Sequence, residues 1–85
     1  MYQVSFSKEA QKALLKLPRP LALKIREKLT AVARDPYAQH NNVSKLQNRP
    51  GYRLRIGDWR VIYEIRGDEL VILVVKIAPR GEVYR

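Results

Sequence analysis

Three arginines near the middle of the chain are spaced so that they could act together on a bound anion. Apolar and polar residues alternate through Tyr52–Ile56, which predicts a strand with one buried face, and the Gly-Asp pair at 57–58 is a two-residue hairpin signal. If that pair forms the turn, Arg55 lies directly opposite Arg60, and Arg53 shares their face. Opposed like charges destabilise a sheet, whereas guanidinium groups match phosphate geometry. These three residues, the arginine triad, therefore indicate an anion site; the alternative is a solvated sheet face with splayed arginines.

Side chains other than arginine offer little catalytic chemistry. The chain has no cysteine, and its single histidine, His40, stands in a loop segment far in sequence from any partner. Zinc cages, cysteine nucleophiles and Ser–His–acid sets are therefore excluded. The carboxylates mostly occupy predicted turns or pair with arginines, which disfavours metal-dependent cleavage. RNA cleavage needs no metal, because the 2′-hydroxyl of the RNA can itself attack the neighbouring phosphorus.

An arginine site constrains how such a cleavage could run. The reaction needs a group that accepts the hydroxyl proton, one that stabilises the pentavalent phosphorane, and one that protonates the leaving oxygen. Arginine stabilises negative charge well, but a pKa above about 12 makes it a poor general acid or base. We therefore expect such an enzyme to be slow alone and to depend on a partner that holds the RNA in the reactive geometry.

Composition and charge narrow the class of protein. The 85 residues predict a single domain, 1–85, with 17 Lys and Arg against 8 Asp and Glu and a formal net charge of +9. The charge divides as +5 in residues 1–42 and +4 in residues 43–85, so no basic tail explains it. A polyanion is the expected partner: nucleic acid, an acidic protein or an anionic membrane surface. The lack of cysteine, of a membrane-spanning apolar run and of a signal peptide favours a cytoplasmic protein.

The elements that must position the triad follow from the spacing of apolar residues, which changes between strand and helix periods at proline and Gly-Asp boundaries. The predicted elements are a strand at 2–6, helices at 8–17 and 20–34, a loop at 36–50 with a half-turn near Val43–Lys45, and strands at 52–56, 59–66 and 70–77. The order β-α-α-β-β-β predicts an α+β domain. In it, an antiparallel meander sheet with an N-terminal strand receives the helical hairpin on one face.

Strand parity assigns the apolar residues of the hairpin to the helix-covered face and the triad to the opposite face. At the other end of the hairpin, Arg66 is expected close to Glu64 and, across the second Gly-Asp turn, beside Glu69, which would neutralise that end. The meander predicts that Arg80, after the last strand, lies close to the triad. Tyr84 could supply an aromatic plane for a base, or instead cover the sheet edge.

Several motifs, distributed over the whole chain, together carry a resemblance to a known family. They are Ser-Lys-Glu-Ala-Gln-Lys-Ala-Leu at 7–14, Lys-Leu at 45–46 ahead of Gly-Tyr-Arg-Leu-Arg, Trp-Arg-Val-Ile-Tyr at 59–63, and Pro-Arg-Gly-Glu-Val-Tyr-Arg at 79–85. In these the chain resembles the RelE toxins of the RelE/ParE toxin–antitoxin superfamily. The resemblance implies the RelE-like fold, metal-free and cofactor-free cleavage of mRNA in the ribosomal A site, and an acidic antitoxin that holds the toxin inactive.

The resemblance also implies a role for each site residue. Arg53 and Arg55 stand where the family has basic residues, commonly lysines, that accept the proton and stabilise charge, and Arg60 would contact the scissile phosphate. Arg80 would protonate the leaving group, and Tyr84 would stack on or orient the nucleotide. The implied RNA-binding set is Lys45, Arg53, Arg55, Arg60 and Arg85. Arginines in place of both lysines leave open whether either residue or the ribosome accepts the proton.

Three functions are open at this point. The first is a type II toxin that cleaves mRNA on the ribosome and is neutralised by a RelB-like or other type II antitoxin. The toxin would be monomeric alone and would form a heterotetrameric or larger complex with its antitoxin. The second is a ParE-like toxin that inhibits DNA gyrase without nuclease activity. The third is a non-catalytic RNA- or ribosome-binding module. The complete set of arginines with a C-terminal tyrosine favours the first.

Overall fold

The computed structural model describes residues 1–79, in which two helices pack against one face of a five-stranded sheet. The elements are β1 (Gln3–Phe6), α1 (Lys8–Leu15), α2 (Arg19–Arg34), β2 (Val43–Lys45), β3 (Tyr52–Ile56), β4 (Trp59–Arg66) and β5 (Val71–Pro79). The sheet order is β1-β5-β4-β3-β2, with β1 parallel to β5 and the other neighbours antiparallel. The predicted α+β class is confirmed. No helix in residues 1–79 is long and apolar enough to cross a membrane.

The first helix begins at the predicted cap. The Oγ of Ser7 accepts a hydrogen bond from the N–H of Ala10 at 3.1 Å and donates one to the carbonyl of Val75 at 3.0 Å. An N-cap serine satisfies an otherwise unpaired helix N–H, and here it also ties the helix to β5. The helix ends at Leu15, two residues earlier than predicted. Pro18 accounts for the early end, because proline disfavours helical backbone at the residue before it.

The hydrophobic core lies between the helical hairpin and the sheet. Ile25, Leu29 and Val32 of α2 are fully buried, at the helical spacing that predicts its apolar stripe. The buried residues that complete this core are Ala10, Leu14, Ala33, Leu54, Ile56, Val61, Tyr63, Ile72, Val74 and Ile77. Each fully buried Leu or Ile stabilises the fold by about 1.5–3 kcal/mol. This packing holds one face of the sheet against the helices, and the opposite face is not covered by them.

The segment Val43–Lys45 is a strand, and the predicted half-turn there is wrong. It pairs antiparallel with β3 in the register Val43 with Leu54, Ser44 with Arg53 and Lys45 with Tyr52. Three residues are too few to show a period of two, so its conformation is decided by backbone pairing to the edge of β3 and not by its own pattern. The extra strand extends the sheet beyond the arginine hairpin.

A bulge in β5 changes which of its side chains face the triad. Along β4 and β5, Ile62 pairs with Lys76 while Tyr63 pairs with Val74, which leaves Val75 as the extra residue. A bulge shifts the alternation of the strand by one residue. Val74 therefore lies in the core. Lys76, two residues later, would share that face in a regular strand, but the bulge places it on the opposite face.

The turn between β4 and β5 differs from the two-residue prediction. It spans residues 67–70, and Leu70 takes a left-handed backbone with φ 56°. Arg66 therefore lies opposite Val71, not opposite Glu69. Its guanidinium instead donates two hydrogen bonds to the Oε1 of Glu64, from Nε at 3.1 Å and Nη2 at 2.8 Å. The expected Arg66–Glu69 pairing is wrong, but the expected proximity of Arg66 to Glu64 is confirmed.

Candidate functional site

The arginine triad lies on the sheet face opposite the helices, called here the triad face, in the predicted register. Arg55 is directly opposite Arg60, and Arg53 is opposite Ile62. The three arginines line one groove of about 300 Å³, the triad groove, together with residues 42–44 of the loop and β2. Arg55 is exposed, while Arg53 and Arg60 are half-buried. The structure therefore brings together the three residues that the sequence predicts as a cluster.

Hydrogen bonds orient two of the three guanidinium groups. The Nη1 of Arg60 donates to the main-chain carbonyl of Trp59 at 3.2 Å. The Nη2 of Arg53 donates to the Oγ of Ser44 at 3.4 Å, a contact that exists because β2 pairs with β3. A planar guanidinium fork that is already oriented loses less conformational freedom when it binds phosphate. The site is therefore partly organised before an anion arrives.

Arg55 and Arg60, which oppose each other across the hairpin, lie away from the ion pair of this face. The ion pair on this face, Glu64–Arg66, lies four residues along β4 from Arg60, about 13 Å at the rise of a strand. Cβ atoms of directly opposed residues are only about 5 Å apart. Arg55 and Arg60 therefore repel each other, and a bound anion would relieve that repulsion.

Lys76 is a basic residue on this face that the sequence analysis missed. Four residues form a row across β2, β3, β4 and β5, namely Ser44, Arg53, Ile62 and Lys76. A lone lysine inside an otherwise apolar strand was the available signal. Simple alternation, however, would have put it on the same face as Val74 in the core. Only the bulge at Val75 places it with the arginines.

A small apolar patch lies on the triad face. It consists of Leu46, Ile62 and Ala78, all buried, with Val75 packed against them. Ile62 stands between Arg53 and Lys76 in its row, and Ala78 lies beside Arg60. Apolar surroundings lower the local dielectric and so strengthen the attraction between these cations and an anion. The patch also offers a surface against which a ribose or base edge could pack.

Lys45 does not belong to the triad groove. It pairs with Tyr52 at the edge of the sheet and lines a second, adjoining groove of about 560 Å³, the loop groove, formed by residues 44–49 and Arg53. Ser44 and Arg53 line both grooves. The implied RNA-binding lysine is therefore next to the triad, but separated from it by the β2–β3 pair.

The C-terminal site residues fall outside the described part of the chain. β5 ends with Ala78 opposite Arg60 and Pro79 opposite Trp59, which confirms that the end of the last strand lies beside the triad. Arg80, Tyr84 and Arg85, which the sequence analysis assigns to catalysis and RNA binding, follow that end and lie outside residues 1–79. Their roles stay predictions.

Other titratable groups in residues 1–79 do not add acid–base chemistry to the triad groove. The Nε2 of His40 contacts the main-chain carbonyl of Asp35 at 2.7 Å, which fixes the loop after α2. Burial raises the pKa of Tyr63 to about 12, with a further contribution from Tyr52. The two rings stack at 5.5 Å, and Tyr63 lies in the core on the helix side. Residues 1–79 contain no group of three or more His, Asp or Glu arranged to hold a metal ion.

The arrangement can bind a phosphodiester and stabilise additional negative charge on it. Two oriented guanidinium groups and an exposed third arginine line the triad groove, and Lys76 and an apolar patch lie on the same sheet face. Preorganised donors of this kind act most strongly on charge that develops during a reaction. A general base is not among them, because a guanidinium stays protonated.

Comparisons with known proteins match toxins in every case, described either as ParE or as RelE. The family model described as the ParE toxin of type II toxin–antitoxin systems, parDE, matches residues 4–84. A RelE-like toxin protein of Escherichia coli is 26% identical over 85 residues, which cover 98% of this chain and 90% of that protein. The isolated E. coli RelE toxin superposes with a TM-score of 0.80 at 26% identity, covering 99% of this chain and 92% of that chain. A chain of the RelE–RelB complex from Pyrococcus horikoshii gives 0.79 at 32% identity, with 96% and 98% covered.

Proposed function

The chain belongs to the RelE/ParE family of type II toxin–antitoxin toxins, and from this premise we propose that it is a ribosome-dependent endoribonuclease that cleaves mRNA in the ribosomal A site. The observation that carries the proposal is the arginine triad. Three guanidinium groups converge on one groove although two of them face each other across a hairpin. A bound phosphate would relieve this repulsion, so the arrangement supports a phosphate-binding surface.

In the proposed reaction, the 2′-oxygen of one nucleotide forms a bond to the adjacent phosphorus, and the bond from phosphorus to the 5′-oxygen of the next nucleotide breaks. The hydroxyl proton passes to a ribosomal base or to water, and the departing 5′-oxygen takes its proton from Arg80, which regains one from water. Arg60, oriented by the carbonyl of Trp59, binds the scissile phosphate. Arg53 and Arg55 add charge stabilisation as the phosphorane forms. Arg80 serves the leaving oxygen, and Tyr84 stacks on the nucleotide.

The ribosome supplies what the triad lacks. Guanidinium groups neither accept the hydroxyl proton nor hold a flexible message in line for attack. Binding of the mRNA in the A site provides that alignment, and alignment alone can lower a barrier by about 7–11 kcal/mol. Dependence on the ribosome is thus a chemical consequence of an arginine-based site, and it places the toxin in the cytoplasm.

We further propose a RelB-like acidic antitoxin as the regulating partner. Relatives of this fold were solved as RelE–RelB complexes from E. coli and P. horikoshii. A chain with a net charge of +9 attracts an acidic, partly disordered protein over long range, and that attraction weakens as salt is added. The toxin alone is expected to be monomeric, and the inhibited complex to be heterotetrameric or larger.

The test is expression of the toxin in a cell-free translation mixture, with primer extension on the message. Wild-type toxin should produce cuts within codons, and these should vanish when ribosomes are omitted. Arg60→Gln should lower the rate of cleavage about 100-fold, because removal of one charge-stabilising donor costs about that much. Arg66→Gln is the matched control on the same face of β4, since Arg66 is paired with Glu64, and it should cut like wild type. Intact mRNA at toxic concentrations would refute the proposal.

A ParE-like activity is the second candidate, because the matching family model describes ParE toxins. A supercoiling assay with purified DNA gyrase separates the two. Inhibition of supercoiling with an intact message would favour the gyrase toxin. Binding to ribosomes with neither effect would favour a non-catalytic RNA-binding module.

A further inference from the structure

The proposed cleavage mechanism uses the loop groove only through Arg53, which this groove shares with the triad groove. It measures about 560 Å³ and is lined by residues 44–49 and Arg53. It is larger than the triad groove, and its size lies within the range of small-molecule and nucleotide pockets, about 300–1,000 Å³. Because Ser44 and Arg53 line both grooves, an RNA strand bound at the triad would continue directly into the loop groove.

Backbone contacts constrain the wall of this groove. The N–H of Leu46 donates to the carbonyl of Gly51 at 3.0 Å and closes the loop on itself, while the Leu46 side chain is buried in the apolar patch. Gly51 has φ 116°, and a Cβ there would stand 3.1 Å from the carbonyl oxygen of Tyr63. Asn48 adopts a left-handed backbone with φ 65°. The loop therefore needs glycine and asparagine at these positions, and it presents its side chains from a defined backbone.

The exposed side chains of the wall combine two kinds of recognition. Lys45 and Arg49 are cations that suit a phosphate, whereas Gln47 and Asn48 carry amides that both donate and accept. All four are exposed. Amide side chains can read a base edge, because their donor and acceptor match the donor–acceptor pair of adenine. Cations and amides together on one rigid wall fit a nucleotide better than they fit a plain anion.

We propose that the loop groove binds the nucleotide of the substrate RNA next to the scissile phosphate, and that Gln47 and Asn48 read its base. Lys45 and Arg49 hold the phosphate of that nucleotide. This rests on the proposed endoribonuclease function and adds to it the position that sets the sequence preference of cleavage. The triad is indifferent to base identity, because it contacts phosphate; discrimination then comes from the amides of the loop.

The test compares cleavage patterns of wild type and of a Gln47→Ala, Asn48→Gly double variant on ribosomes programmed with a set of A-site codons. Glycine keeps the left-handed backbone at 48, so the loop should retain its shape, and thermal melting checks this. The ratio of cleavage rates between the most and the least efficiently cut codon should fall about tenfold. Gln11→Ala on the exposed side of α1 is the matched control and should keep the wild-type ratio.

The outcomes separate this inference from the proposed function. If wild type cuts and the double variant keeps the same codon ratio, the inference is overturned and the nuclease proposal stands. If wild type cuts nothing, binding of labelled A6, C6 and U6 oligoribonucleotides to the toxin decides. A wild-type preference among them that is lost in the double variant supports the subsite. Identical binding by both proteins, or a loss of antitoxin binding alone, refutes it.

Discussion

Replacing Arg55 by glutamine should make the protein more stable and less active. Arg55 faces Arg60 across the hairpin and its side chain is exposed, so the substitution removes a repulsion and little packing. For an assumed separation of about 7 Å between the two charges, Coulomb's law gives about 0.6 kcal/mol at a dielectric constant of 80 and about twice that at 40. We therefore expect a gain of about 0.5–1 kcal/mol in the free energy of unfolding.

Urea or thermal unfolding measures this gain. For a domain of this size, 0.5–1 kcal/mol corresponds to a rise in Tm of about 2–8 °C. The gain should be largest near 10 mM salt and nearly absent at 1 M, where the screening length is about 3 Å. Cleavage on the ribosome should fall about 100-fold, since a charge-stabilising donor is lost.

Arg66→Gln is the matched control, because it removes an arginine from the same sheet face that is paired with Glu64 at 2.8 Å. It should lower stability by a few tenths of a kcal/mol, the ordinary value of an exposed ion pair. A fall in Tm for Arg55→Gln at low salt, or a gain that does not respond to salt, would show that the triad is not under repulsion. The triad would then give no physical reason to assign the triad groove to phosphate binding.

Three further predictions concern single residues. Tyr63→Phe should raise the free energy of unfolding by about 1 kcal/mol near pH 7, because the buried hydroxyl has no hydrogen-bond partner among residues 1–79. Burial raises the pKa of Tyr63 from 10.0 to about 12, so the unfolded chain loses the phenolic proton at a lower pH than the folded protein does. The free energy of unfolding of the wild type should therefore be constant below pH 10 and fall between pH 10 and 12. Urea titrations should not find this fall in the variant. Gly51→Ala should cost about 1–3 kcal/mol in urea unfolding, from φ 116° and the 3.1 Å approach of the added Cβ to a carbonyl oxygen. Gly57→Ala should cost less, because no atom of the described residues 1–79 lies within 4 Å of the added Cβ. Lys76→Met should weaken oligoribonucleotide binding and lower the slope of log K against log salt by about 0.7, measured by fluorescence anisotropy, while Lys12→Met on α1 leaves the slope unchanged.

The arginine hairpin was predictable because its information is local. Alternation through Tyr52–Ile56, a Gly-Asp turn and renewed alternation from Trp59 set the register of β3 and β4, and the structure has that register residue for residue. The triad follows directly from it. The apolar stripe of α2 and the Ser7 cap are equally local, since they depend on residues within one or two turns of a helix.

Positions that depend on distant pairing were not predictable. The strand Val43–Lys45 exists because β3 offers an unpaired edge, and nothing in three residues signals it. The turn at 67–70 is two residues longer than its Gly-Asp signal suggests, which moves Arg66 away from Glu69. Lys76 shares the triad face only because of the bulge at Val75.

By itself, the sequence determined the net charge of +9, the lack of cysteine, the single remote histidine, and the centre of the candidate anion site, with Arg53, Arg55 and Arg60 on one sheet face. Tertiary structure decided how far that centre extends. Pairing between β2 and β3 brings Ser44 to Arg53 and opens the loop groove beside the triad, and the bulge in β5 adds Lys76. The reason is that alternation along one strand is written in neighbouring residues, whereas strand pairing and bulges are set by contacts between segments that are far apart in the chain.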